Sequence, residues 1–369
     1  MLTSDCSSGS DSTAQLLPHL LLERIGLVFL NGKMQLPTSF AGMRNSKILR
    51  RWQGFYLNQI RRIWNHLPNS LRFLSPGLFL GSHLHALVRR SAERKQYFAT
   101  FFLRNRPELE LMRRLAGRNP HASKLKITVL ACSKGAEVYS IAWTIRSARP
   151  DLELSIQAVD ISQEIVEFAA RGAYSLSNPD VLNTPNQEGI AERGDVTWNT
   201  CRDQLTSIFE RMTKEEVNAM FEVEGDQAWI KPWLKEGIDW KPGDAGDPEL
   251  GRSLGPQDIV VANRFLCHMV PAAAEKTLRN IARLVKPGGY LFVSGVDLDV
   301  RTKVAEEQGW KPVTDQMKEL HEGDLSLRRG WPLEYWGLEP FCNTRTGWQV
   351  RYASVFEIGG ATTSRAPIE

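Results

Sequence analysis

Gly135, Glu137 and Asp160 are the residues of this chain whose types and spacing first suggest chemistry. Gly135 lies in Ile127-Thr-Val-Leu-Ala-Cys-Ser-Lys-Gly-Ala-Glu-Val-Tyr-Ser140. That stretch reads as an apolar strand, a turn of small residues including Ser133, and a helix start that carries Glu137. Asp160 closes a second apolar run, Leu154-Ser-Ile-Gln-Ala-Val-Asp-Ile161. In α/β proteins ligands sit beyond the carboxyl ends of strands, where backbone N–H groups are free. A carboxylate at the tip of the second strand is placed to hold ribose hydroxyls. The pair therefore points to an adenosine-containing cofactor. The loop has neither Gly-x-Gly-x-x-Gly nor the Gly-Lys-Ser/Thr of a P-loop. Glu137 suits the positive end of a helix dipole but would repel a phosphate. S-adenosylmethionine, with a sulfonium, an amino group and no phosphate, meets these conditions. The bland alternative is an ordinary strand–helix crossover with an incidental acid at its start.

Positioning these residues requires alternating strands and helices. Strands are expected over residues 127–132, 155–161, 258–263 and 290–295, and helices over 137–148, 163–171 and 272–284. This order predicts an α/β fold built on a mostly parallel sheet with helices on both faces. Lys286-Pro-Gly-Gly289 reads as a sharp turn into a buried strand. Residues 175–255 read as a loop-rich insertion, with a short helix at 214–221 and room for a small strand, and with glycine-rich 237–255 as loop. The tail over 336–359 reads as two strands, 349–358 the clearer, expected to add a C-terminal antiparallel hairpin to the sheet. Upstream, residues 48–66 have helical periodicity ended by Pro68, and 79–115 read as further helix broken near 104–107. The expected organisation is a disordered tail over 1–15, a basic helical region over 16–120 and a cofactor-binding domain over 121–369.

The 369 residues carry a net charge of +4, unevenly spread. Between Arg44 and Lys126 there are 18 Lys/Arg against 3 Asp/Glu. Such a block could dock an acidic partner, nucleic acid or an anionic membrane, although a solvated helical face with aromatics as its core is the favoured reading. Five scattered cysteines, with no Cys-x-x-Cys, argue against a disulfide framework or a zinc cluster, and no metal site is expected. Residues 16–30 are apolar but interrupted by Pro18, His19, Glu23 and Arg24, so no transmembrane segment is expected and the chain reads as cytoplasmic.

Several segments, taken in order, resemble the CheR-type methyltransferases, which use S-adenosylmethionine to methylate glutamate side chains of chemotaxis receptors. Thr100-Phe-Phe-Leu-Arg-Asn105 is similar to that family's Thr-x-Phe-Phe-Arg-Asp/Glu. Ala131-Cys-Ser-Lys-Gly-Ala-Glu-Val-Tyr-Ser-Ile-Ala142 resembles Ala-x-Ser-Thr-Gly-Glu-Glu-Pro-Tyr-Ser-Ile-Ala. Ala158-Val-Asp-Ile161 with Ala170-Arg-Gly-Ala-Tyr174, and Ile238-Asp-Trp-Lys-Pro-Gly-Asp244, stand where the family has Ala-x-Asp-Ile with Ala-Arg-x-Gly-x-Tyr and Val-x-Phe-x-x-x-Asn. Asp258-Ile-Val-Val-Ala-Asn263 with Arg283-Leu-Val-Lys-Pro-Gly-Gly289 is similar to the strand ending in Arg-Asn and the Leu-Lys-Pro-Gly-Gly turn.

The resemblance implies a class I, Rossmann-like methyltransferase with a seven-stranded sheet. It implies cofactor-binding roles for Thr100, Arg104, Ser133, Gly135, Glu137, Asp160, Asp244, Asn263 and Arg264. Arg104 would grip the cofactor's carboxylate or lie near its methyl, Glu137 its amino or ribose end, and Asp160 its ribose hydroxyls. Asp244 would sit near the adenine and Asn263 beside the sulfonium. Departures from the family pattern fall mainly on the acceptor side: Ala262 replaces an arginine and Cys267 a tyrosine, with His268 adjacent. Arg104, Cys267 and His268 are the expected catalytic positions. The expected reaction is in-line methyl transfer to a carboxylate, with a protein glutamate as acceptor. Small-molecule or RNA methylation, or a degenerate cofactor-binding regulatory module, are the alternatives.

Overall fold

The computed structural model describes residues 29–30, 33–34, 47–72, 74–94, 100–118, 123–177 and 207–359. The tail at 1–15 and the polar loop expected near 178–202 lie outside them. The chain divides into two compact units, Met1–Ser91 with Pro332–Glu334, and Ala92–Trp331 with Tyr335–Glu369.

The first unit is helical. Helix α1 (Lys47–His66) and helix α2 (Ser75–Ser91) pack together. The three- and four-residue spacing of apolar positions gives each helix one buried stripe. Ile60 and Trp64 of α1 and Leu84 and Val88 of α2 are buried, whereas Phe55 and Phe79 are exposed. No helix among the described residues is long and apolar enough to cross a membrane.

The second unit begins with α3 (Arg106–Gly117), capped by Asn105 with Pro107 in its first turn. Strand β1 (Lys124–Leu130), α4 (Ala136–Ala148), β2 (Glu153–Asp160) and α5 (Gln163–Arg171) follow. A small antiparallel sheet comes next: β3 (Ala173–Ser175), β4 (Phe221–Glu224, entered from α6, Lys214–Met220) and β5 (Gln227–Ile230), in the order β3-β5-β4. The chain returns to the main sheet as β6 (Ile238–Pro242) and continues through α7 (Pro248–Leu254), β7 (Gln257–Val261), α8 (Pro271–Ala282) and β8 (Val285–Phe292). It ends with α9 (Leu298–Glu307), β9 (Lys311–Pro312), α10 (Met317–Glu322), α11 (Leu325–Gly330), α12 (Trp348–Tyr352) and β10 (Val355–Ile358).

The main sheet has seven strands in the order β9-β10-β8-β7-β1-β2-β6. β10 runs antiparallel between β8 and β9, and the other neighbouring pairs are parallel. This is the class I methyltransferase arrangement. The central strands are continuous apolar runs because both faces are covered. Ile127, Val129, Ile156 and Val261 point into one core, and Leu130, Val159, Val260 and Leu291 into the other.

Two expectations are corrected. Glycine-rich 237–255 is not loop: β6 is the sheet's edge strand, and α7 follows it. Its edge position tolerates Pro242, which could not donate within a central ladder. The tail over 336–359 holds one strand rather than two. Residues 348–352 are helical, and β10 pairs with β9 upstream of the tail. The antiparallel pair does close one end of the sheet, but its outer strand, β9, comes from residues 311–312 rather than from the tail.

Candidate active site

The loop after β1 is shaped by backbone held in the left-handed region at Ala131 (φ 53°), Ser133 (φ 49°) and Gly135 (φ 84°). Left-handed backbone costs a residue with a Cβ about 1 kcal/mol or more and persists only where the surroundings enforce it. Here the surroundings are hydrogen bonds. Cys132 N donates to Val159 O at 3.0 Å, Gly135 N to Cys132 O at 3.0 Å, and the Tyr174 hydroxyl to Lys134 O at 2.7 Å. A Cβ at Gly135 would meet the Trp240 ring at 3.0 Å, Ala169 at 3.1 Å and Tyr139 at 3.3 Å, so only glycine fits.

Asp160 clamps this loop to the tip of β2. One carboxylate oxygen accepts Ser133 N at 2.8 Å and the other Ser162 N at 3.2 Å. Burial raises the Asp160 carboxyl, and the backbone donors of Ser133, Ser162 and Ile161 oppose the rise. Ser133, Gly135 and Asp160 thus come together, as the sequence predicts. Asp244 is exposed on the loop after β6, where one of its oxygens accepts Gly246 N at 2.7 Å.

A cavity opens beside the tips of β7 and β8 and the first turn of α4. Thr100, Arg104, Glu137, Asn263 and Arg264 line it, all five singled out from the sequence. Phe102 fixes the first two of these. It is fully buried against Tyr174, Phe209 and Phe221, with ring centroids 5.0–5.5 Å away, and Leu103 N donates to Ser140 Oγ at 3.0 Å. Leu103 (φ 53°) and Arg264 (φ 65°) are also left-handed. Four of the five described non-glycine residues with positive φ therefore lie after β1, after β7 or in the Thr100–Asn105 segment beside the cavity.

One wall of the cavity is acidic. The Asn263 side-chain amide donates to Glu108 Oε1 at 2.6 Å and to Glu137 Oε1 at 2.8 Å, and its oxygen accepts Ser294 N and Oγ at 2.9 and 2.8 Å. Asn263 is thereby saturated and holds two buried carboxyls in place. Burial raises both; mutual repulsion adds to this at Glu108, which is pushed up to about 8.

The opposite wall is basic. Arg264 Nη1 donates to Asp324 Oδ2 at 2.7 Å, Arg211 Nη2 to Asp324 Oδ1 at 3.1 Å, and Arg104 Nε lies 4.0 Å from Asp324 Oδ2. Arg211 also donates to Arg104 O at 2.6 Å, and Arg104 and Arg211 share the Phe101 ring, 5.2 and 4.8 Å from its centroid. Burial alone would raise the Asp324 carboxyl, but Arg264, Arg104 and Arg211 hold it well below the usual range. Burial lowers Arg104 to about 10, with repulsion from Arg264 adding to the fall, so it remains charged near neutrality.

Cys267 and His268 are not on the cavity wall. The Cys267 thiol is buried and burial pushes it up to about 11. His268 Nδ1 lies 2.7 Å from the Tyr335 hydroxyl, and burial, with Arg264 and Arg94 nearby, lowers it to about 4. The sequence reading missed Glu108, Arg211, His321 and Asp324. A Glu in the first turn of α3, directly after a family-like motif, was a usable signal for Glu108. Asp324 lies in a segment with no motif to find it by.

The residues present fit S-adenosylmethionine. Glu137 presents a carboxyl and Arg104 a guanidinium on the cavity wall, charges that complement a cationic amino group and a carboxylate, whereas Ser133, Gly135, Asp160 and Asp244 lie off that wall. Among the described residues no cluster of three or more His, Cys, Asp or Glu could hold a metal.

Comparison with known proteins agrees. Residues 99–191 match the family described as "CheR methyltransferase, SAM binding domain", and residues 223–293 match "Methyltransferase domain". The chain is 26% identical over 183 residues to chemotaxis protein methyltransferase Cher2 of Pseudomonas putida, covering 48% of this chain and 55% of that protein. It is 27% identical over 175 residues to a chemotaxis protein methyltransferase of Vibrio parahaemolyticus, covering 46% and 52%, and equally so to chemotaxis protein methyltransferase 1 of Vibrio cholerae. The chain spans about half the length of the curated relatives it matches. Residues 99–191 are thus similar to the S-adenosylmethionine-binding domain of CheR methyltransferases, and the stretch includes the strand-tip loop and its Asp160 clamp.

Proposed function

We propose that this chain is a methyltransferase that moves a methyl group from S-adenosylmethionine to a carboxylate, with a protein glutamate as acceptor. The observation that carries the reading is the cavity's division into an acidic wall, Glu108 and Glu137 bridged by Asn263, and a basic wall, Arg104 and Arg264 gathered on Asp324. Such a cavity suits a cofactor with a cationic sulfonium and amino group, and an acceptor that arrives as an anion. When bound, S-adenosylmethionine supplies an electrophilic methyl on its sulfonium.

The rest falls to the chain. Asp160 and Glu137 hold the cofactor's ribose and amino end, and Arg104 holds its carboxylate. Phe101, Leu109, Leu320 and Leu338 give the cavity apolar wall and exclude water. A carboxylate acceptor is ionised near pH 7 and needs no general base. That agrees with His321, which lines the cavity but is lowered to about 4 by burial and has Nε2 on Glu339 O at 2.9 Å. The resemblance to CheR-type enzymes supports protein glutamate as the acceptor class, and the basic helical region is suited to an acidic partner.

The test is incubation with methyl-labelled S-adenosylmethionine and cell lysate, followed by mild alkali. Release of label as methanol is the expected result, since carboxyl methyl esters hydrolyse. Alkali-stable label would show a different acceptor atom and overturn the carboxylate assignment.

A further inference from the structure

Arg264 sits where β7 ends and holds left-handed backbone at φ 65°, a conformation a residue with a Cβ adopts only under constraint. The constraint is visible. Arg264 N donates to Ser294 O at 2.9 Å, and the Cα of Gly295 approaches Arg264 so closely that a Cβ there would lie 2.7 Å from Arg264 Cα. This backbone turns the side chain into the cavity, where Arg264 is one of the lining residues. Its Nη1 is committed to Asp324 Oδ2 at 2.7 Å and Ser326 Oγ at 3.1 Å. Asp324 is itself fixed, capping α11 through Ser326 N at 3.1 Å and bound by Arg211 on its other oxygen. The guanidinium is therefore anchored at one corner. Its Nε–Nη2 edge, which has the spacing to meet both oxygens of one carboxylate, donates to nothing among the described residues.

A second observation points the same way. Arg301 and Ser354 line the same cavity and are 2% and 6% exposed. Arg301 Nη1 and Nη2 are tied to Val293 O and Arg351 O, each at 2.9 Å, but Arg301 Nε and Ser354 Oγ have no hydrogen-bond partner within the protein. Buried donors of this kind are costly unless a ligand or water meets them. Both residues lie on the side of the cavity formed by β8, α9 and β10, away from the Asp160 clamp.

We propose that Arg264 binds the acceptor carboxylate through its Nε–Nη2 edge, with Arg301 Nε and Ser354 Oγ as the polar floor of the same subsite, leaving Arg104 to the cofactor. The proposal rests on the carboxylate reading above and names the residues that select for it. One acceptor oxygen forms the new O–CH3 bond as the C–S bond breaks. The electron pair of that bond stays on sulfur, and no proton changes hands. The product ester is neutral, so its attraction to Arg264 falls as soon as the bond forms, which favours release.

The test uses the full chain with Arg264→Gln and Arg264→Gly, the latter matched to left-handed backbone. Affinity for S-adenosylhomocysteine is measured by calorimetry, and alkali-labile label from lysate is measured beside it. Both variants are expected to keep S-adenosylhomocysteine affinity within about threefold of the parent, which also reports that they fold, while ester formation falls by about a hundredfold, the loss of one charge-assisted pair. Arg264→Lys, which keeps the charge without the fork, is expected to recover part of it. Ester formation near the parent level in Arg264→Gln, or loss of S-adenosylhomocysteine binding in both variants, would overturn the assignment. Label that is alkali-stable in the parent itself would instead overturn the carboxylate reading, and the subsite with it.

Discussion

Replacing Asp324 with Asn removes one buried negative charge from a site where three guanidiniums meet. Asp324 is 4% exposed, so little solvent screens the interaction. Asn keeps the shape and one oxygen able to cap α11 through Ser326 N, so the loss is chiefly electrostatic. Breaking a buried pair by neutralising one partner costs about 3–5 kcal/mol, because the other charge is left buried. For a unit of this size each kcal/mol lowers Tm by roughly 2–4 °C, so a fall of roughly 6–20 °C is expected. The pH dependence carries a sign. The folded-state carboxyl is depressed by Arg264, Arg104 and Arg211 against the opposing effect of burial. Its stabilisation is therefore complete above the unfolded-state value of about 4 and is lost as pH falls below it. Thermal unfolding of parent and variant between pH 7 and pH 3 is the assay. The gap between them should narrow below about pH 4. A variant within about 2 °C of the parent at pH 7 would show that Asp324 does not organise the arginines.

Three further substitutions probe other parts of the site. Glu108→Gln mimics the protonated carboxyl. Because the folded-state value is raised to about 8, the parent's contribution is full below about pH 4.3 and lost as pH rises through about 8, so the variant should gain on the parent across that window in chemical unfolding. Gly135→Ala forces a Cβ against Trp240 and Ala169 on backbone at φ 84°; it should cost about 1–3 kcal/mol in unfolding experiments and weaken S-adenosylhomocysteine binding in calorimetry. Cys267→Ala should leave ester formation within about threefold while costing on the order of 1 kcal/mol of stability, since the thiol is buried off the cavity wall; a large loss of turnover would restore it as a reacting group.

The cofactor half of this site was legible in the sequence because it is local. An apolar run, a small-residue turn and a helix start are consecutive, and Asp160 terminates the next apolar run, so the loop and its clamp could be paired by spacing alone. β6 was hidden because an edge strand tolerates the glycine and proline that normally signal loop. The helix at 348–352 was hidden for a different reason. Trp348-Gln-Val-Arg-Tyr352 alternates like a strand, but Arg351 and Tyr352 both reach Glu339, at 2.6 and 2.9 Å, and that tertiary contact outweighs a weak local preference. The basic wall was only partly legible: Arg264 was singled out, but for the cofactor, while Arg211, Arg301 and Asp324 come from distant segments that no spacing rule joins to it. What the sequence did expose was the replacement of the family's arginine by Ala262, with Arg264 two residues on; only the left-handed turn at Arg264 reveals where that guanidinium points.

The proposed function requires that the chain, with its strand-tip loop clamped by Asp160, bind an adenosine sulfonium without phosphate. Calorimetric titration of the intact chain and of Asp160→Ala with S-adenosylhomocysteine tests it most directly. Micromolar binding by the intact chain, abolished in the variant and not competed by nicotinamide adenine dinucleotide, is the predicted result. No heat of binding from the intact, folded chain, or equal affinity in the variant, would contradict it.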